Sequence, residues 1–303
     1  SAVTYRRIAS TRRSLLIGGI TSIAAVACGV APGAADDSQT LAIGDLFISP
    51  QFSDGLRAPA MLVAEVSQTV PFLFTDDIGS PLRHDSTPAT VDIEIRRDTT
   101  VLSSQTLPIR GAEVIVPHYT ATVDVPTAGS YTLVALLPDG ELSFPFNVVE
   151  RSELDLVQVG DPMRPIDTPT TAQPGEADPV CTLLPNPCPF HSQTLTEALA
   201  TGLPVVYLVA TPALCQTTSC GPVTQMLVDR LANRNDIAVV HIEVWKNADT
   251  FFQPDGLLDG VVQYGLDHEP SLYAADANGI LVTRLDFSWD ADELDDAIAS
   301  IAP

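Results

Sequence analysis

The residues of this chain best suited to chemistry are its sulfurs. Five cysteines, Cys28, Cys181, Cys188, Cys215 and Cys220, occur in 303 residues. Four of them fall in two close pairs. An even number of thiols in an oxidising compartment suggests two disulfides, for which three connectivities exist, and proximity suggests Cys181–Cys188 and Cys215–Cys220. A thiol does redox work as its thiolate, so its local field matters. Cys220 opens a segment of helical periodicity, and the unpaired N–H groups of a helix start favour a thiolate by about 1 kcal/mol, roughly fivefold. The acidity of the chain opposes that gain. Two readings follow for this pair: thiol–disulfide exchange, in which Cys220 attacks and Cys215 resolves, or a static staple. Loop entropy does not separate them, because six- and eight-residue loops each contribute about 2 kcal/mol. Setting separates them better. Cys181 and Cys188 lie among Pro185, Pro187 and Pro189, in a stiff loop without a helix start, and read as a structural disulfide.

Other chemistries are weaker. A copper or zinc site on Cys215, Cys220 and a histidine lacks the Cys-x2-Cys spacing, so no metal and no cofactor is expected. His241 sits within an apolar run and reads as a core or edge residue. His268, before Glu269-Pro270, could face the thiols, and His191 reads as a turn cap. His84 and His118 have no evident partner in sequence. Thr211-Pro212-Ala213-Leu214-Cys215 faintly resembles the loop before the reactive cysteine of peroxiredoxins, but is one residue too long and has no arginine near it. Trp245, Phe251 and Phe252 form either an apolar rim beside the thiols or ordinary loop packing.

Composition sets the address. Hydrophobic residues make up 45%, charged residues 17%, and the formal charge is −23. Nucleic acid is therefore not an expected partner, since phosphate binding needs a basic face. Residues 1–35 read as an export signal, with Arg6, Arg7, Arg12 and Arg13 before an apolar stretch too short to span a membrane. Thr11-Arg12-Arg13-Ser14-Leu15-Leu16 resembles a twin-arginine signal, with an ordinary secretory signal as the alternative. Ala25-Val26-Ala27-Cys28-Gly29 resembles a bacterial lipobox, which implies lipidation of Cys28 and anchoring at the extracytoplasmic face of the cell membrane. Plain cleavage after Gly33-Ala34-Ala35 is the alternative. Losing residues 1–27 removes four arginines and takes the charge from −23 to −27.

The elements that must position the thiols fall into two modules. Residues 36–150 carry short β-rich runs at 61–65, 70–75, 91–97, 119–125, 131–137 and 142–148, separated by turn residues. Strand number and the Pro126-x-x-Gly129-x-Tyr131 turn resemble an immunoglobulin-like β-sandwich, which implies a spacer or docking module. Residues 151–180, rich in proline, read as a semi-stiff linker. Residues 181–303 read as α/β. Thr194-Leu195-Thr196-Glu197 is a capping box, 205–210 a buried strand, 221–233 an amphipathic helix and 237–244 a second strand. A short helix at 257–264 follows, then an Asn278-Gly279 hairpin between 271–275 and 280–287, and a last helix capped by Asp290.

This order, with Cys220-Gly221-Pro222-Val223 where a strand turns into a helix, resembles the thioredoxin-like superfamily over about 120 residues. The resemblance implies a cis-proline at Pro270 facing the active site. It places Cys220 at the first position of the family's Cys-Gly-Pro-Cys motif, with Val223 where that motif has its second cysteine. The fold class expected is thus multidomain, all-β plus α/β. The function expected is an extracytoplasmic thiol–disulfide oxidoreductase acting on thiols or disulfides of envelope proteins, with Cys220, Cys215 and Pro270 at its site. The alternative is a redox-inactive binding or scaffold protein with two structural disulfides. No buried carboxylate appears in the 205–210 strand to move a proton for the thiols.

Overall fold

Short apolar runs, alternating most clearly in one strand, make the first half of the chain a β structure. In the strand Thr90–Arg97, Val91, Ile93 and Ile95 are buried while Thr90, Asp92 and Arg97 are exposed, the period of a sheet with one wet face. The computed structural model describes residues 46–50, 62–111, 116–215, 219–253, 255–266 and 268–302, all within one compact unit. The expected export segment and Cys28 lie outside the described residues.

Eight strands make two sheets in this half: β1 (Phe47–Pro50), β2 (Leu62–Val63), β3 (Gln68–Thr75), β4 (Thr90–Arg97), β5 (Thr100–Pro108), β6 (Tyr119–Val123), β7 (Gly129–Leu137) and β8 (Gly140–Val149). One sheet has the order β1-β3-β6 and is antiparallel; the other runs β2-β8-β7-β4-β5, with only β2 and β8 parallel. Phe72, Phe74 and Tyr119 of the smaller sheet and Ile93, Tyr131 and Leu133 of the larger share one core. The Tyr131 hydroxyl donates to the Thr127 carbonyl at 2.6 Å and pins the turn before β7. Two strands escape the sequence pattern. β1 is short, and β5 is a polar edge strand of Thr, Ser and Gln closed onto β4 by a two-residue turn in which Asp98 has φ 54°.

Residues 151–180 contain no helix or strand beyond one short turn of 3-10 helix, but they are not the spacer that their prolines suggest. Leu156, Val157, Met163, Ile166 and Ala177 are buried, and the segment bonds along the second half of the chain: Gly160 N–H to Leu281 O and Leu281 N–H to Asp161 O, both 2.8 Å. After the adjacent pair Leu156-Val157, the buried apolar residues come singly among the prolines, which is why no periodicity exposes them.

The second half is a four-stranded sheet with helices. Its elements are α1 (Leu195–Leu199), β9 (Val205–Val209), α2 (Cys220–Leu231), β10 (Ala238–Ile242), α3 (Asp259–Gln263), β11 (Ser271–Ala275), β12 (Leu281–Asp286) and α4 (Ala291–Ile301). The strand order is β10-β9-β11-β12, with β10 parallel to β9 and β11 antiparallel to both β9 and β12. Every residue of β9 is fully buried, as a continuous apolar run requires of a central strand. α2 buries Val223, Leu227 and Leu231, one stripe at helical spacing. The Thr194–Glu197 capping box opens α1, and Asp290 with Glu293 opens α4. The two halves meet at that last helix start: Glu293 accepts from Thr120 Oγ1 and lies 3.1 Å from His118 Nε2, and Gly111 N–H reaches Asp290 at 3.4 Å. Among the described residues no helix is long and apolar enough to cross a membrane.

Candidate functional site

β9 ends at Val209, the chain turns through Thr211–Leu214, and α2 begins at Cys220. Across that bend Cys215 and Cys220 are bonded, with Cα atoms 5.9 Å apart, inside the range that a disulfide requires. The Cys220 N–H, one of the unpaired donors at the helix start, points at Cys215 Sγ at 3.4 Å. Cys220 is fully buried and Cys215 is half-buried. The expected nucleophile, Cys220, is thus the inner of the two sulfurs. An external thiol needs access to the sulfur that it attacks, and Cys215 offers it where Cys220 does not. Val223 is fully buried in the core.

A carboxylate stands beside the inner sulfur. Glu269 Oε2 accepts the Thr211 N–H at 2.7 Å and lies 3.5 Å from Cys220 Sγ. Burial pushes its pKa up to about 7, against the opposing pull of the Thr211 hydrogen bonds. The indole N–H of Trp245 is electrostatically close to this carboxylate but outside hydrogen-bond geometry. The acid sought in the β9 strand therefore arrives from the loop before β11. The sequence signal was its place immediately before Pro270. The Glu269–Pro270 peptide is cis, Pro270 is buried, and its carbonyl accepts the Phe287 N–H at 2.8 Å. Trp245, Phe251 and Phe252 do cluster, with ring centroids 4.0–5.5 Å apart, and Phe252 is 57% exposed.

The first cysteine pair behaves differently. Cys181 and Cys188 are both buried and carry no bond to each other, where the sequence suggests a structural disulfide. Two histidines occupy the space around them. Cys188 Sγ lies 3.3 Å from both His191 Nε2 and His241 Nδ1; Cys181 Sγ lies 3.9 Å from His241 Nδ1; the two imidazole nitrogens are 3.1 Å apart. His191 is thus not a turn cap and His241 not a plain core residue. Neither was linked to the thiols in sequence, because β10 brings His241 across from 50 residues beyond His191. The hydrogen bond from Cys188 holds the Cys181 thiol far below its ordinary pKa, with the imidazoles adding to the effect. Behind the cluster, buried Glu243 accepts the Thr182 N–H at 2.7 Å, and burial raises its pKa to about 7.

His268 does not face the thiols. Its Nε2 lies 2.9 Å from both Asp286 Oδ1 and Ser271 Oγ, and its ring stacks on Phe287 at 4.5 Å. Ser271 Oγ also donates to Asp286 at 2.7 Å, and Arg284 Nε to the same carboxylate at 2.8 Å. Serine and carboxylate share one imidazole nitrogen in a buried network. Through Ser271 and Asp286 the network ties β11 to β12.

No protein-family model matches this chain, and no curated protein matches it. Among solved structures, the crystal structure of an engineered protein aligns with 36% of this chain and 21% of its own, at 18% identity and a TM-score of 0.22. A likeness of that size carries no argument about fold or function.

Proposed function

We propose that this chain is a thiol–disulfide oxidoreductase of thioredoxin-like type, working through Cys215 and Cys220. One observation carries the reading: a disulfide at the start of α2 with an accessible outer sulfur, Cys215, and a buried carboxylate, Glu269, 3.5 Å from the inner one. The strand order β10-β9-β11-β12, the helix between β9 and β10, and Pro270 at the head of β11 beside Glu269 support it.

In the oxidising direction a partner thiolate attacks Cys215 Sγ, the Cys215–Cys220 bond breaks, and Cys220 leaves with the electron pair. Glu269, whose pKa burial raises to about 7, gives that sulfur a proton. A second partner thiolate then attacks the partner sulfur of the mixed disulfide and releases Cys215. Two partner thiols become a disulfide and the Cys215–Cys220 pair becomes a dithiol. Reduction of a partner disulfide runs the same steps backward, with Glu269 taking the Cys220 proton before Cys220 resolves the mixed disulfide.

The partners of this reading are envelope proteins. An exported chain, anchored through a lipid on Cys28, would present the pair on the extracytoplasmic side, with the N-terminal sheets as an immunoglobulin-like docking module. An acyl increment on the mature mass supports the anchor; an N-terminus beginning after Ala35 dismisses it.

Insulin reduction by dithiothreitol tests the chemistry. The wild type should accelerate it, and Cys215→Ser and Cys220→Ser should not. Cys220→Ser, keeping the outer thiol, should instead accumulate a mixed disulfide. A wild type that gives no acceleration favours a redox-inactive scaffold, a reading to which the burial of Cys220 lends weight.

A further inference from the structure

We infer that Cys181, Cys188, His191 and His241 form a zinc site that fastens the loop of the redox pair. The ligand atoms all lie within 4.8 Å of one another and all four residues are buried. A tetrahedral zinc with Zn–S about 2.3 Å and Zn–N about 2.05 Å has edges of roughly 3.6 Å from sulfur to nitrogen and roughly 3.3 Å between nitrogens. The structure gives 3.3, 3.3 and 3.9 Å for three sulfur–nitrogen edges and 3.1 Å for the nitrogen–nitrogen edge. These four edges lie within about 0.4 Å of the zinc values, and all four donors fall within 4.8 Å of one another.

Chemistry selects the ion. Two sulfurs and two imidazoles suit a borderline-soft tetrahedral cation and exclude magnesium or calcium, which take oxygen ligands. Two thiolates on a divalent ion leave no net charge, which a buried pocket demands. The surroundings orient the donors. His241 Nε2 sits 2.9 Å from the Ala210 carbonyl, which can only accept, so the proton is on Nε2 and the lone pair of Nδ1 points at the cluster. Cys181 Sγ accepts the Cys188 N–H at 3.3 Å, the kind of bond that supports a ligating thiolate.

Four protein ligands close the coordination sphere, so the site is structural rather than catalytic. The segment 181–191 has no helix or strand of its own, and the site ties it to β10. Next to it, Thr182 Oγ1 accepts the Ala213 N–H at 3.0 Å, two residues before Cys215, and its hydroxyl faces Glu243. Zinc at the cluster thereby fixes the loop that presents the outer sulfur.

The test is the metal content of the full chain, purified without chelator and after exposure to Zn2+ under reducing conditions. The wild type should hold about one zinc per chain, and Cys188→Ser and the double variant C181S/C188S roughly a tenth or less. The double variant C215S/C220S should keep its zinc, which separates this site from the redox pair. His191→Ala should lose its zinc to the same extent, and a cooperative urea transition in that variant separates loss of the ligand from loss of the fold. Cobalt(II) added to the metal-free chain should give sulfur-to-metal charge-transfer absorption that Cys188→Ser loses. A wild type without stoichiometric zinc, with Cys181 and Cys188 either bridged or free in a peptide map, overturns the proposal. So does copper in zinc's place.

Discussion

Replacing Glu269 by glutamine should make the protein more stable, and only above mildly acid pH. Glutamine keeps the oxygen that accepts the Thr211 N–H and carries no charge. In the wild type, burial raises the carboxyl pKa from 4.5 to about 7 on folding. The sign follows from linkage. The folded chain holds the proton more tightly than the unfolded one, so the wild type is fully stable below pH 4.5 and loses stability as pH rises through about 7. Each unit of difference is worth 1.36 kcal/mol, so the loss is roughly 3 kcal/mol once both states are ionised. The pKa of Glu243 is raised to about 7 as well and its charge helps raise that of Glu269, so the difference also contains the relief of Glu243 when the neighbouring charge is removed. Urea unfolding of the oxidised wild type and Glu269→Gln at several pH values gives the difference curve directly. It should be near zero at about pH 4 and roughly 3 kcal/mol in favour of the variant at about pH 8. A curve flat with pH, or a gain below about 0.5 kcal/mol at pH 8, would refute the placement of a buried, titrating acid beside Cys220.

Other consequences follow from burial. In the reduced protein, iodoacetamide should label Cys215 at least about tenfold faster than Cys220, read by peptide mass mapping; equal rates would contradict the assignment of the outer sulfur. His118→Ala removes one of several partners of the buried Glu293 carboxylate and should cost about 1–2 kcal/mol in urea unfolding, while a loss under about 0.5 kcal/mol would mean that the contact between the two halves is not held there. Chelation of zinc from the wild type should slow insulin reduction without breaking the Cys215–Cys220 bond, because it frees the loop and not the sulfurs. An unchanged rate would uncouple the two sites.

Much of the scaffold was legible, and the reasons are physical. The run 205–210 is apolar without alternation, which only a central strand tolerates, and Thr194 with Glu197 spells its own helix start. Asn278-Gly279 does the same for the β11–β12 hairpin, where Gly279 takes φ 76°. Other features have no local signature. β5 is polar because it lies at a sheet edge, and Met163, Ile166 and Ala177 are buried one at a time between prolines. The site divides along the same line. The bond between Cys215 and Cys220 follows from a short loop at a strand-to-helix bend. Glu269 and His241 reach their sulfurs through the sheet, from residues 49 and 53 positions away. The Cys188-x2-His191 spacing was the trace of the second cluster open to a reader of the sequence, and one thiol with one imidazole is half a site.

An oxidoreductase working through Cys215 and Cys220 requires their bond to be reversible in its compartment. Equilibrating the purified chain with redox buffers of graded potential, and mapping every cysteine by mass at each point, measures this directly. A reversible transition of that pair between about −300 and −120 mV, with Cys181 and Cys188 unbridged throughout, is the result expected. A bond that stays closed below about −300 mV would place it among structural disulfides and end the case for an oxidoreductase.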